Sequence, residues 1–439
     1  MAVGSLMLGL GLIAFALAES AWGFLLGGGL GMGLGFGLRR IGNPQDEPKR
    51  AEALLAVASL WLLTPALGAI PFWVSGGMAY LDALFEAMSG FTTTGATVLA
   101  DFAAWQGREV LFFWRSLMQW LGGIGILALF IVVLPHLAVA GRQLFFAESS
   151  GVQKDQLTPK LRHTALFILR VYGLLTGVTL TAYVLLGMPW FEALCNALST
   201  VPAGGFSPNA QSFASYSAPI QWVAALVMFL TGVNLLLQYR VFFGGEPRAP
   251  LRDPEFRAYG LIVLLATLGL ATLLFREHQY GIEGSLRHAL FQVAALITGT
   301  GFASADFAKW VVPAQIVLIG LMFIGGSAGS VSGSIKVVRW LVAGAIVRRE
   351  LQRVLHPQAV LPLRIGNKNV GEDVLRSVAS FITLYTLLFA SGAMVIGTLE
   401  RDFVVALTAS AAAIGNIGPG LGPVGPMAHY GELHPVSKL

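Results

Sequence analysis

Apolar residues run in long unbroken stretches along this chain, at about 3–18, 22–38, 52–74, 109–137, 161–187, 218–240, 257–275, 311–325 continuing to 347, and 376–398. Most approach the ~20 residues needed to cross a hydrocarbon core, so the pattern predicts a bundle of membrane helices. Shorter amphipathic stretches lie between them: YLDALFEAMSG, PWFEALCNALS, EGSLRHALFQVAALI and RDFVVALTASAAA. At ~1.5 Å per residue each is expected to reach about half way through a bilayer. Each leads into a glycine-centred segment: FTTTGAT at 91–97, VPAGGFS at 201–207, TGTGFAS at 298–304 and GNIGPG at 415–420. With Gly95, Gly204, Gly301 and Gly418 taken as equivalent, the intervals are 109, 97 and 117 residues.

A hydrophobic helix, a short re-entrant helix, a glycine turn and a second hydrophobic helix form the repeating unit of a cation pore. The predicted fold is therefore all-α and polytopic, with two N-terminal helices followed by four pseudo-repeats. The boundaries fall at 1–50 for the N-terminal pair and its loop, then 51–140, 141–245, 246–350 and 351–439 for the repeats. The glycine-rich LLGGGLGMGLGFGLRR contains formal GxGxxG-like matches. It follows no strand and lies in an apolar run, so it reads as close helix packing through small residues. The first apolar run has no positive n-region and leads straight into the second, which makes it a membrane helix and not a signal peptide.

Composition agrees: 55% of residues are hydrophobic, 12% charged, and the mean hydropathy is +0.71. A soluble domain carries about 25% charged residues, and no soluble catalytic domain has room here. The net charge of +5 does not imply a nucleic-acid partner. Arg39, Arg40, Lys49 and Arg50; Arg142, Lys154, Lys160 and Arg162; Arg240, Arg248, Arg252 and Arg257; and eight residues from Lys336 to Arg376 account for 20 of the 28 Lys and Arg residues. Those four regions are expected on the cytoplasmic side and the glycine segments outside. Cys195 is the single cysteine, which excludes an internal disulfide and a cysteine-based metal cluster. The seven histidines show no HExxH spacing. Clustered His, Asp or Glu of the kind a membrane enzyme needs is absent from the sequence.

Non-helical backbone at membrane depth is tolerated only when buried in protein or lining a watery cavity. Glycine permits positive φ, and rings of carbonyls so arranged replace the water shell of an alkali cation. The flanking residues Thr92, Thr93, Thr94, Ala203, Thr298 and Thr300 are small or hydroxylic, and no carboxylate ring lines the turns. Asp82, Glu86, Glu192, Glu283 and Asp402 fall in or just before the early turns of the short helices, where they are expected to act as caps. Arg115 is expected to pair with a carboxylate or with pore-helix carbonyls. Asn234 and Gln238 are candidates either for a vestibule or for interhelical hydrogen bonds. Residues 311–347 are interrupted by GGSAGSVSGS at 325–334, whose four glycines and four serines unwind a helix. Each glycine costs about 1 kcal/mol there relative to alanine. Gly325, Gly326, Ser327, Gly329, Ser330, Gly333 and Ser334 are thus expected to break the helix near mid-membrane, with Lys336 either a positive charge on the cytoplasmic side of the break or a side chain snorkelling to the inner interface.

FEAMSGFTTTGATVL, WRSLMQWLGGIGI, ALSTVPAGGFSPN, TGTGFASADF, GGSAGSVSGSIKVVRW and NIGPGLGPVGP together resemble the Trk/Ktr/HKT potassium transporters, in particular the bacterial TrkH-type membrane subunit. The resemblance spans nearly the whole chain, including the two extra N-terminal helices. It implies a pseudo-fourfold pore with K+ held at Thr93, Thr94 and Gly95; Pro202, Ala203 and Gly204; Gly299, Thr300 and Gly301; and Asn416, Ile417 and Gly418. Sodium-selective plant relatives carry serine at the first filter glycine, and Gly95 here favours potassium. The resemblance also implies that Gly325–Ser334 is an intramembrane gate loop below the filter, and it implies a homodimer in the bacterial inner membrane surrounded by lipid, with cytosolic nucleotide-binding regulatory subunits docked on basic loops, especially 339–376. No cofactor is expected in the chain itself. The family pattern continues with one more membrane helix after NIGPGLGPVGP, whereas this sequence runs on through MAHYGELHPVSKL, so the fourth repeat is expected to be incomplete. The alternative function is a secondary transporter coupled to H+ or Na+. No run of mid-membrane carboxylates supports it.

Overall fold

The structure, a computed structural model, describes residues 1–41, 50–133, 157–356, 363–365 and 368–439. The cytoplasmic candidates Lys49, Arg142 and Lys154 lie outside the described residues, as do the side chains of Arg50, Lys160 and Arg162. The chain opens with α1 (Ala2–Ala16) and α2 (Trp22–Ile41). These helices touch through glycine: a Cβ on Gly4 would stand 2.9 Å from the Gly28 carbonyl oxygen, and one on Gly31 would stand 3.2 Å from the Gly4 Cα. Small-residue packing, not nucleotide binding, accounts for this stretch.

Next come α3 (Arg50–Gly68), α4 (Ile70–Val74), the short α5 (Tyr80–Phe91) and α6 (Glu109–Val133). They are followed by α7 (Leu157–Leu185), the short α8 (Trp190–Thr200), α9 (Ala218–Thr231) and α10 (Leu235–Phe242). After α11 (Ala249–Arg252) stand α12 (Pro254–Arg276), α13 (Ile282–Thr298), α14 (Val312–Leu321) and α15 (Val337–Leu355). The last helices are α16 (Glu372–Glu400) and α17 (Phe403–Gly415). Residues 421–439 carry 3-10 turns at Gly422–Val424 and Tyr430–Glu432. Apart from a two-residue ladder, Arg364–Ile365 against Lys368–Asn369, and a bridge between Ile324 and Ile335, the described residues are helices and loops.

Among the described residues, four stretches are long and apolar enough to cross a membrane: Leu55–Val74, Ile168–Leu185, Pro254–Arg276 and Glu372–Glu400. Their outer faces are left bare. On α12, Leu261, Leu264, Leu265 and Leu268 are exposed, while Val263, Leu270 and Leu274 pack into the largest buried cluster. In water such an apolar surface would be a liability, but in a bilayer it is the lipid contact.

Two expectations are corrected. The apolar run at 218–240 is not one helix: α9 and α10 meet at 109° across residues 232–234. Asn234 supplies the reason, its side chain capping α10 by accepting from the Leu236 and Leu237 amides at 2.8 and 3.3 Å. Gln238 then donates to the Leu230 and Val233 carbonyls at 2.7 and 3.0 Å and so ties the two sides of the bend together. The third short helix, α13, has 17 residues, about 25 Å at ~1.5 Å per residue, and so reaches well beyond half way.

Candidate functional site

The four short helices end in the same backbone pattern. At the first position past the helical turn, Thr93, Ala203, Gly299 and Asn416 donate to Gly90, Thr200, Leu296 and Ala413 carbonyls at 3.1, 3.1, 3.1 and 3.2 Å. All four have positive φ, at 60°, 57°, 78° and 55°. Two residues on, Gly95, Gly205, Gly301 and Gly418 are again left-handed, at 80°, 83°, 70° and 98°. The alternation of handedness holds an irregular strand of three residues at the end of each helix.

This pattern moves the second strand by one residue relative to the sequence expectation. The equivalent glycine is Gly205, and the triplet is Ala203, Gly204 and Gly205. Pro202 falls one step before it, packed beneath Gly123, where a Cβ would lie 2.8 Å from the Pro202 Cβ. In the other three strands the same backbone pattern falls on residues 93–95, 299–301 and 416–418.

The strands close on one another head to tail. A Cβ added to Gly95 would fall on the carbonyl oxygen of Gly204, one on Gly205 on that of Thr300, and one on Gly301 on that of Ile417. One on Gly418 would reach the Thr94 oxygen at 2.7 Å, which completes the circuit. The carbonyls of Thr94, Gly204, Thr300 and Ile417 therefore stand at one level of a closed ring, each against the glycine of the adjacent strand. Gly95, Gly205, Gly301 and Gly418 all line a single open cavity, together with Ala96, Thr97 and Phe206. Among the described residues no group of three or more His, Cys, Asp or Glu side chains could hold a metal ion.

Side chains fix the strands from behind. Gln119 donates to the Gly204 carbonyl at 2.6 Å and accepts from the Phe206 amide at 3.1 Å. Asn416 donates to the Thr92 and Thr93 carbonyls at 3.0 and 3.3 Å and accepts from the Thr94 hydroxyl at 2.5 Å, which ties the fourth strand to the first. Tyr430 donates its hydroxyl to the Gly418 carbonyl at 2.7 Å, while its amide donates to the Thr97 carbonyl at 2.8 Å. Neither Gln119 nor Tyr430 was singled out from the sequence, since nothing in a lone glutamine or tyrosine reveals which backbone it will meet.

Arg115 finds its carboxylate partner in Glu86, at 2.7 Å, with both side chains buried. Glu86 also accepts from the Thr97 hydroxyl and the Val98 amide at 2.9 Å each, and Arg115 donates to the Ser207 carbonyl at 3.1 Å beneath the Phe206 ring. Glu86 is thus a partner of the post-filter segments and not a cap. Of the remaining carboxylates Asp402 is a true cap, accepting from the Val404 and Val405 amides. Asp82 pairs with Lys438 at 2.8 Å, Glu192 accepts from Tyr216 at 2.5 Å, and Glu283 pairs with Arg287 at 2.8 Å.

The Gly/Ser loop lies against the end of the ring marked by Gly299 and Gly415. A Cβ on Gly299 would stand 3.4 Å from the Gly333 nitrogen, and Ser334 donates its amide to the Gly415 carbonyl at 3.0 Å. Val331 packs in one cluster with Val201 and Ala203. The loop docks on the α9–α10 bend, with the Ser327 amide bonded to the Gly232 carbonyl at 2.8 Å and the Gly329 carbonyl accepting from Leu235 at 3.1 Å. Its ends are joined where Gly325 donates to the Ile335 carbonyl at 2.8 Å, and Gly326 accepts from Val337 at 3.1 Å.

Four short helices that deliver four strands to one carbonyl ring, inside a bundle of membrane helices, are the architecture of a cation-transport protein. A profile of the TrkH family, described as a cation transport protein, matches residues 42–439, and the chain belongs to that family. It is a transport protein and not an enzyme. The chain is 34% identical to the Trk system potassium uptake protein TrkH of Salmonella typhimurium, over 90% of this chain and 82% of that protein. It is 33% identical to TrkH of Halomonas elongata over 97% of this chain and 89% of the relative. The crystal structure of the potassium transporter TrkH from Vibrio parahaemolyticus superposes with a TM-score of 0.88 at 30% identity, covering 99% of this chain and 91% of that one.

Proposed function

We propose that this chain is the pore-forming membrane subunit of a bacterial potassium uptake system. K+ moves passively through the ring formed by residues 93–95, 203–205, 299–301 and 416–418, and the loop at 325–334 gates it. The observation that carries this reading is the head-to-tail closure of four equivalent strands, whose glycines share one cavity. Carbonyl oxygens held rigidly at one level exchange for a cation's hydration shell without the charge that a carboxylate ring would bring. The relatives named as Trk system potassium uptake proteins support potassium as the ion.

The four basic regions support an orientation with the loops between repeats on the cytoplasmic side of the inner membrane and the ring's cavity outside. A homodimer, with cytosolic nucleotide-binding regulatory subunits on the basic segment 339–376, completes the reading. Within this chain no cofactor is required.

The test is tracer K+ and Na+ flux through the purified chain in liposomes, against the Gly301→Ser variant. Flux that favours K+ and loses that preference in the variant is the expected result. Flux that requires an opposing H+ or Na+ gradient would replace the passive pore with coupled transport. Replacing Gly325–Ser334 by a shorter apolar linker is expected to raise flux, and unchanged flux would remove the gate from the scheme.

A further inference from the structure

Lys336, expected as a positive charge on the cytoplasmic side of the loop, turns its ammonium back into the loop. Its ammonium donates to the Ser330 carbonyl at 3.3 Å, the Ser330 hydroxyl at 3.2 Å and the Ser332 hydroxyl at 2.8 Å, and it also bonds the Ser332 carbonyl. The Ser330 and Ser332 side chains are buried, and their hydroxyls lie 2.7 Å apart. Two carbonyls and two hydroxyls around a single positive charge make the kind of oxygen set that binds a dehydrated alkali cation. An ammonium group is close to K+ in size and charge, so a cage that fits one fits the other.

The cage sits where a permeating ion would leave the ring. Gly333, the residue after Ser332, abuts Gly299 and Gly415, and Val331 shares a cluster with Ala203. The loop is also held from the opposite flank. One carboxylate oxygen of Glu255, at the start of α12, accepts from the Ala328 amide at 2.7 Å and the Val338 amide at 3.1 Å. Glu255 thereby pins both arms of the loop while Lys336 fills its interior.

We propose that the carbonyl and hydroxyl oxygens of Ser330 and Ser332 form a monovalent-cation site beneath the ring, occupied in this conformation by the ammonium of Lys336. The site takes K+, Rb+ or NH4+ once the lysine withdraws, so the tethered charge competes with the permeating ion for the same oxygens. This rests on the loop lying across the pathway proposed above, but the site can be tested without flux.

The experiment is thermal unfolding of the purified chain in detergent, titrated with KCl, RbCl and NH4Cl against choline chloride at equal ionic strength. A cation that binds only the folded state raises the midpoint with the logarithm of its concentration. Lys336→Met keeps the aliphatic stem and empties the cage. It is expected to gain a saturable response to K+, Rb+ and NH4+ beyond whatever response the parent shows. Ser330→Ala and Ser332→Ala added to Lys336→Met should abolish the gain. If Lys336→Met is simply less stable and no salt restores it more than choline does, lysine is a structural latch and the proposal is overturned. Should the variant fail to accumulate, RbCl during solubilisation is expected to rescue it where choline chloride does not, and equal failure in both salts also overturns the proposal. Any K+ response shared by the parent and the triple variant reports the ring alone. Its absence would count against the proposed filter and leave the comparison at the cage intact.

Discussion

Arg115 is 2% exposed and Glu86 fully buried, and between them they hold α5, α6 and the backbone beyond two strands of the ring. Removing one charge of such a pair leaves the other uncompensated, which costs about 3–5 kcal/mol. Arg115→Met is therefore expected to unfold at a markedly lower temperature in detergent, and Arg115→Met with Glu86→Gln to recover most of the loss. A double variant no better than the single would mean that the contacts to Ser207 and Phe206 dominate. That Arg115 would find a partner, either a carboxylate or pore-helix carbonyls, was readable from its place in an apolar helix, since a lone charge there demands one. The identity of that partner was not. Glu86 lies near enough to the start of α5 to pass for a cap, and only the rotation of α5 against α6 shows which side it faces.

Among the elements, the short helices and the broken third-repeat segment were legible because their signals are local. Amphipathic stretches too short to span, and four glycines in ten residues at 325–334, specify interruptions wherever they occur. The bend between α9 and α10 was not legible, because Thr231-Gly232-Val233-Asn234 sits inside an otherwise continuous apolar run. Asn234 gave the one available sign, as a residue that favours caps over helix interiors. Loss of such a cap costs about 1 kcal/mol, and here the consequence should travel. The Gly232 carbonyl of the bend accepts from Ser327 of the loop, so a loosened bend loosens the loop's docking. Asn234→Ala is expected to lower the unfolding temperature modestly and to raise K+ flux in liposomes. A variant that is destabilised but conducts less would show that the bend supports the ring and not the loop.

At the scale of the whole molecule, the ring is a heterologous contact repeated until it closes, the relation by which identical subunits form cyclic assemblies, here made by four parts of one chain. Spacing along the sequence took Gly95, Gly204, Gly301 and Gly418 as equivalent, whereas the left-handed glycines that close the ring are Gly95, Gly205, Gly301 and Gly418. The second strand was displaced by one because VPAGGFS offers two adjacent glycines, and composition cannot say which of them takes positive φ. The structure separates their roles. Gly205 is left-handed, and a Cβ on it would meet a backbone carbonyl that cannot move without breaking the ring. Gly204 is not left-handed, and a Cβ on it would meet the side chain of Gln119, at 2.5 Å from the Cδ. Gly205→Ala should therefore behave like the alanine variants of Gly95, Gly301 and Gly418. Each combines a left-handed penalty of about 1–2 kcal/mol with a collision against the neighbouring strand, so that selectivity between K+ and Na+ collapses or the protein fails to accumulate. Gly204→Ala is expected to be milder and to be improved by Gln119→Ala, which clears the space at the cost of the bonds to Gly204 and Phe206. No combination with Gln119→Ala should improve Gly205→Ala. The ratio of K+ to Na+ flux across these variants checks the register directly: rescue of Gly205→Ala, or equal severity of the two single variants with no rescue of either, would return the ring to the spacing that the sequence first suggested.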